Sequence, residues 1–175
     1  MWVCRDGNPC IKGMKMRNYA LRMVTGLCLI ALLCGAASAA DAAKPSAVGQ
    51  WRLNIKKSDF GRTPAPRSIL LTVTKGDSSN IEIEWTATGV DASGKKISES
   101  FQGKTDGVFL PVQGANVRAA YMWEGDTLVE QFERPDHATT VNRITFSADG
   151  KQMVGKATTK SPKGLTYTTE VFDRQ

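Results

Sequence analysis

Histidine occurs once in the 175 residues, at His137, and none of the four cysteines lies beyond Cys34. A zinc site usually takes three or four His, Cys or carboxylate ligands, so a histidine-rich metal centre is excluded. The chain has no G-x-S-x-G elbow to present a strained serine. His137 stands beside Asp136 in a turn, where the bland reading is a solvated side chain. No stretch clusters Lys and Arg with interleaved aromatics, so nothing supports nucleic-acid binding. The apolar run Met23–Gly35 has 13 residues, whereas a membrane helix needs about 20. With a mean hydropathy of −0.27, a polytopic membrane protein is excluded as well. From residue 41 onward no apolar stripe repeats at the helical period.

The first forty residues have the order of an export leader. Lys12, Lys15, Arg17 and Arg22 precede the Met23–Gly35 run, and Ala37-Ser38-Ala39 follows it. A basic start, a short apolar stretch and an A-x-A exit describe a secretory signal peptide. Met14 or Met16 would give it a conventional beginning. Leu27 before Cys28 and Leu33 before Cys34 lack the small residue that lipid attachment needs. The pattern predicts a leader over 1–40, a short linker over 41–47 and one domain over 48–175. It also predicts a periplasmic or extracellular destination. About 135 residues would remain after cleavage, without a cysteine and so without a disulfide, thiol nucleophile or Cys-ligated zinc. Five of the 23 basic residues and Asp6 leave with the leader, so 18 Lys+Arg face 16 Asp+Glu and the formal charge falls from +6 to +2.

The remainder alternates at period two and is punctuated by turn residues. Trp51, Leu53 and Ile55 alternate with Arg52 and Asn54, and a loop with Pro64-Ala65-Pro66 follows. Strands are predicted over 68–75, 81–90, 95–102, 108–112, 117–124, 127–134, 139–146, 152–159 and 165–172. In the clearest of them, Ile81, Ile83, Trp85 and Ala87 alternate with Glu82, Glu84, Thr86 and Thr88. Connections such as Asp91-Ala92-Ser93-Gly94 and Ala148-Asp149-Gly150 contain residues that tolerate positive φ. About ten short strands with tight connections form an all-β antiparallel meander. With one apolar face per strand, it must close on itself or fold into two packed sheets. Closure removes the exposed edges, which favours an up-and-down barrel of about 8–10 strands over a sandwich. An outer-membrane barrel would want strands of about 9–11 residues, longer than most of these.

Gly49-Gln50-Trp51 resembles the G-x-W opening of the lipocalins. In that family the Trp closes one barrel end and packs on an Arg from the last strand, a part the resemblance gives to Arg174. The chain also resembles a group of small, uncharacterised secreted bacterial proteins that open G-x-W-x-L-N-x-x-K-S-x-F. Here these positions are Gly49, Trp51, Leu53, Asn54, Lys57, Ser58 and Phe60, followed by the Pro-rich loop and the Asp91–Lys95 hairpin. The resemblance implies a lipocalin-like β-barrel and transfers no catalytic residue and no ligand.

Two carboxylates are candidates for a site. Glu99 alternates with Ile97 and Phe101, and Glu130 with Leu128 and Phe132. Both therefore point inward if those neighbours do. A buried carboxylate needs an Arg partner, a raised pKa or a ligand, and Arg118 or Arg143 would be the partner, Arg143 lying in register with the apolar Val141. The resulting ligand site is Trp85, Glu99, Tyr121, Trp123 and Glu130, a polar anchor in an apolar cavity. The bland alternatives are glutamates at a barrel mouth and aromatics that only fill the core. Three functions follow in order: non-enzymatic binding of a small, partly apolar ligand without a cofactor; an envelope interaction module with a filled core; and an enzyme acting through Glu99 and Glu130, as in glycoside hydrolysis.

Overall fold

The computed structural model describes residues 45–175, so the leader expected over 1–40, with its alternative starts, lies outside the described residues. Ten strands follow in chain order: β1 (Gly49–Leu53), β2 (Ser68–Lys75), β3 (Glu82–Val90), β4 (Lys96–Lys104), β5 (Leu110–Pro111), β6 (Arg118–Glu124), β7 (Thr127–Glu133), β8 (Thr139–Phe146), β9 (Gln152–Ser161) and β10 (Gly164–Arg174). They form when one side of each strand has an apolar surface to bury. On β3, Ile83 and Trp85 are buried while Glu82 and Thr86 are exposed. Ile55 and Ile81 break the expected alternation. Both fall just outside a strand and stay exposed.

All ladders are antiparallel, and each strand pairs with its neighbour in sequence except across β4 and β5. The last strand returns to the first, with Trp51 opposite Arg174 and Leu53 opposite Phe172. Between β4 and β5 the sheet is joined only locally. Ser100 and Gln113 exchange two backbone hydrogen bonds of 3.0 and 2.9 Å, and the amide of Gly107 donates to the Tyr121 carbonyl at 2.9 Å. The result is an up-and-down barrel, nearly closed, with one irregular seam.

One end of the barrel is solid. Trp51 has no exposed surface. Its Nε1 donates to the Ala47 carbonyl at 2.7 Å, and its ring lies 6.0 Å from that of Phe146. The Arg174 guanidinium covers it at 4.7 Å from the ring centroid and donates to the Val48 carbonyl at 2.5 Å. Arg174 thus has the position the lipocalin resemblance implied, as the final residue of β10 rather than beyond it. Gly49, at φ 142°, is required here: a Cβ would stand 3.1 Å from the guanidinium. Residues 45–47, expected as linker, belong to the barrel, since Ser46 bridges Asp77 and Ala47 is buried under Trp51.

The rest of the G-x-W-x-L-N-x-x-K-S-x-F segment sews the barrel shut. Asn54 Nδ2 donates to Asp173 at 2.6 Å and Lys57 pairs with the same carboxylate at 3.2 Å. Ser58 Oγ accepts from the Val171 amide at 2.9 Å, and Asp59 and Thr169 exchange backbone bonds of 2.7 and 2.6 Å. These bonds carry the chain along β10 past the end of β1 and deliver Phe60 to the core. The motif is structural, and its residues act at the β1–β10 junction.

Candidate functional site

Above the solid end the interior is open, a cavity of about 820 Å³. Its floor is apolar, with Val73, Ile83, Leu128, Ile144, Met153 and Phe172. Its rim carries Arg134, Asp136, Ser161 and Lys163, and the loop residues Phe60, Thr63, Pro64 and Pro66 lean over it. Between floor and rim, the inward positions of β7, β8 and β10 turn polar: Glu130, Asn142, Thr140, Glu170, Thr168 and Thr166.

Four of the five expected ligand-site residues line this cavity: Trp85, Glu99, Tyr121 and Glu130. Trp123 does not. It shares the inward side of β6 with Tyr121 but lies nearer the strand end, below the floor, with its ring tilted against that of Phe146 at 6.2 Å. Neither expected arginine reaches a cavity glutamate. Arg118 pairs with Glu133 at 3.3 Å and Arg143 with Glu124 at 2.8 Å, all on the outer surface. The misleading marker was Val141, which shares a side with Arg143 but is itself exposed; the inward positions of β8 are Thr140, Asn142 and Ile144. His137 is exposed, in the left-handed region at φ 62°, with its amide donating to the Arg134 carbonyl at 3.0 Å.

A relay of hydrogen bonds holds Glu130 in the wall. Trp85 Nε1 donates to the Tyr121 hydroxyl at 2.8 Å, the hydroxyl donates in turn to Glu130 Oε1, and Asn142 Nδ2 donates to Oε2 at 3.0 Å. Burial raises the Glu130 carboxyl above its usual range, against the lowering effect of the two donors. Burial, reinforced by the charge of Glu130, also lifts the Tyr121 hydroxyl well above its ordinary value. Burial alone raises Glu99.

Glu170 on β10 is a site residue the sequence reading missed. Its carboxyl is pushed up to about 7, first by burial and then by the charge of Glu130. Among the described residues, no ion pair within 4 Å involves Glu99, Glu130 or Glu170. Gly155 brings Glu170 and Asn142 together. It pairs with Glu170 on one side and Ile144 on the other, and a Cβ there would stand 2.8 Å from Asn142 Oδ1. The missing side chain is the space in which Asn142 reaches Glu130. Gly155→Ala is therefore expected to dislodge Asn142 and unsatisfy its bond to Glu130, at a cost of about 1–3 kcal/mol. Urea unfolding would show it; an unchanged midpoint would mean that Asn142 is not held by this contact.

No family model matches the chain, and no curated protein matches it. Solved structures do. The chain is similar to secretory abundant heat soluble protein 4 from Ramazzottius varieornatus, at 13% identity and a TM-score of 0.51, over 73% of this chain and 94% of that one. A second secretory abundant heat soluble protein from the same organism matches at 8% identity and a TM-score of 0.50, over 77% and 98%. Zebrafish ileal bile acid-binding protein, in complex with cholic acid, matches at 12% identity and a TM-score of 0.48, over 73% and 98%. At these identities the likeness is one of fold.

Proposed function

We propose that this barrel binds one small amphiphilic molecule in its interior and performs no chemistry on it. The observation that carries the reading is the cavity of about 820 Å³, which lies in the usual range of ligand sites, about 300–1,000 Å³. Its apolar floor and hydrogen-bonded polar middle suit a molecule with an oily body and a polar group. An interaction module with a filled core fits less well, because the side chains leave the barrel centre open. The leader expected over residues 1–40 supports a binding role outside the cytoplasm.

Trp85, in the cavity wall, reports on occupancy. Titration with an environment-sensitive lipid probe is expected to shift tryptophan emission and saturate at one probe per chain. Ala157→Trp, which places a large ring on the inward side of β9, is expected to weaken the probe at least about tenfold while far-ultraviolet circular dichroism stays unchanged. Unaltered binding in that variant, or no binding in the parent protein, would refute the reading.

A further inference from the structure

We propose that the ligand of this cavity bears a protonated amine, seated where Glu130, Glu170 and Asn142 meet over Gly155. The inference rests on the binding role proposed above and names the chemical class it serves. Its basis is a hydrogen-bond inventory of the wall. Tyr121 and Asn142 Nδ2 have already committed their donors to Glu130. Among the described residues, Asn142 Oδ1 is buried with no partner, and no donor reaches the Glu170 carboxyl. Where Glu130, Glu170 and Asn142 meet, the atoms left over are acceptors, and the hydroxyls of Thr166 and Thr168 stand further toward the rim. A buried acceptor without a donor is costly, and an ammonium supplies three donors and no acceptor.

Charge selects in the same direction. The titratable and charged groups around Glu170 are Glu130 on β7, Glu99 on β4 and Tyr121 on β6, with Arg134, Asp136 and Lys163 confined to the rim. Arg134 is turned onto Thr140, to which it donates at 2.8 Å. An anionic head seated below Thr140, beside Glu170 and Asn142, would meet carboxylates on three strands, with the Arg134 guanidinium held higher on Thr140. A bare metal ion would leave the apolar floor unused, and the described residues hold no group of three or more metal-ligating side chains.

Three probes with one twelve-carbon chain separate the alternatives: dodecylamine, dodecanol and dodecanoate, each titrated by tryptophan emission at pH 8 below its micellar concentration. Dodecylamine, whose amine resembles that of lysine with a pKa of about 10.4, is expected to bind at least about tenfold more tightly than the other two. Its advantage should shrink as the pH is lowered through about 7 and Glu170 takes up a proton. Glu170→Gln should bring the ratio of amine to alcohol affinity close to one. Equal binding of all three, or a preference for dodecanoate, overturns the proposal and leaves the cavity reading standing. Failure of all three to bind overturns both.

Discussion

Trp51→Ala is expected to lower the stability of the barrel by about 3–5 kcal/mol, a large part of the 5–15 kcal/mol typical of a domain. Three contacts disappear together: the indole bond to Ala47, the ring contact with Phe146 and the guanidinium of Arg174 over the ring face. The substitution also opens a cavity at a position with no exposed surface, so the lost transfer energy and the void both count. The urea midpoint should fall with little change in the denaturant slope. Arg174→Ala should cost less, about 1–2 kcal/mol, because it removes one cation–π contact and one bond to Val48 while leaving the ring in place. If Trp51→Ala cost under about 1 kcal/mol, the plug would not be what closes this end.

The second large effect is on pH dependence. The Glu170 carboxyl has an ordinary value of 4.5 and is raised to about 7 in the folded protein. Between those values the folded chain holds a proton that the unfolded chain has released. Its contribution is therefore full below pH 4.5 and lost as the pH rises through 7. Glu130, also raised, acts with the same sign. At pH 8 the charge on Glu170 costs the fold about 3 kcal/mol, and Glu170→Gln is expected to recover that amount. Asp77, Asp91, Asp149 and Asp173 act in the opposite direction. Hydrogen bonds from Ser79, Ser93, Ser147 and Asn54 respectively lead in holding them below their ordinary value, and their contribution is lost only as the pH falls below about 3.8. Melting temperatures from pH 4.5 to 8 should thus decline in the parent protein and decline less in Glu170→Gln, where Glu130 and Glu99 still titrate. Parallel curves would rule out Glu170 as the source. A residue that lowers stability at neutral pH is a natural candidate for a binding role, which is why one carboxylate links the stability and the ligand experiments.

Period-two patterning was enough to find most of the barrel. Both ends of β2 and β8 fall where the alternation places them, and Glu99, Glu130, Trp85 and Tyr121 face inward because Phe101, Leu128 and their neighbours do. What the pattern could not supply is height along the barrel axis. That depends on the stagger between strands, so Trp123 shares a side with Tyr121 yet lies below the cavity floor. Glu170 was hidden for a different reason. Thr166 and Thr168, next to it on the inward side of β10, are polar, and only Phe172 marks that side as interior. A barrel that holds a ligand lines part of its inside with polar groups, so hydrophobicity stops reporting orientation at the site itself. Val141 is the converse, an apolar residue on the outer face that made Arg143 look inward.

The way β10 returns to β1 bears on how the molecule could be rebuilt. The amide of Gln175 donates to the Gln50 carbonyl at 3.0 Å, so the last residue stands beside the first strand, while β4 and β5 are joined by little more than one bridge. Strand ends that lie this close together can be joined by a short linker, as in a circular permutation. A reordered polypeptide starting at β5 and ending at β4, with a few-residue bridge from Gln175 to the start of β1, would close around the same cylinder. In it a covalent joint would be added to the ladder where Trp51 and Arg174 now meet, and the free ends would move to the seam.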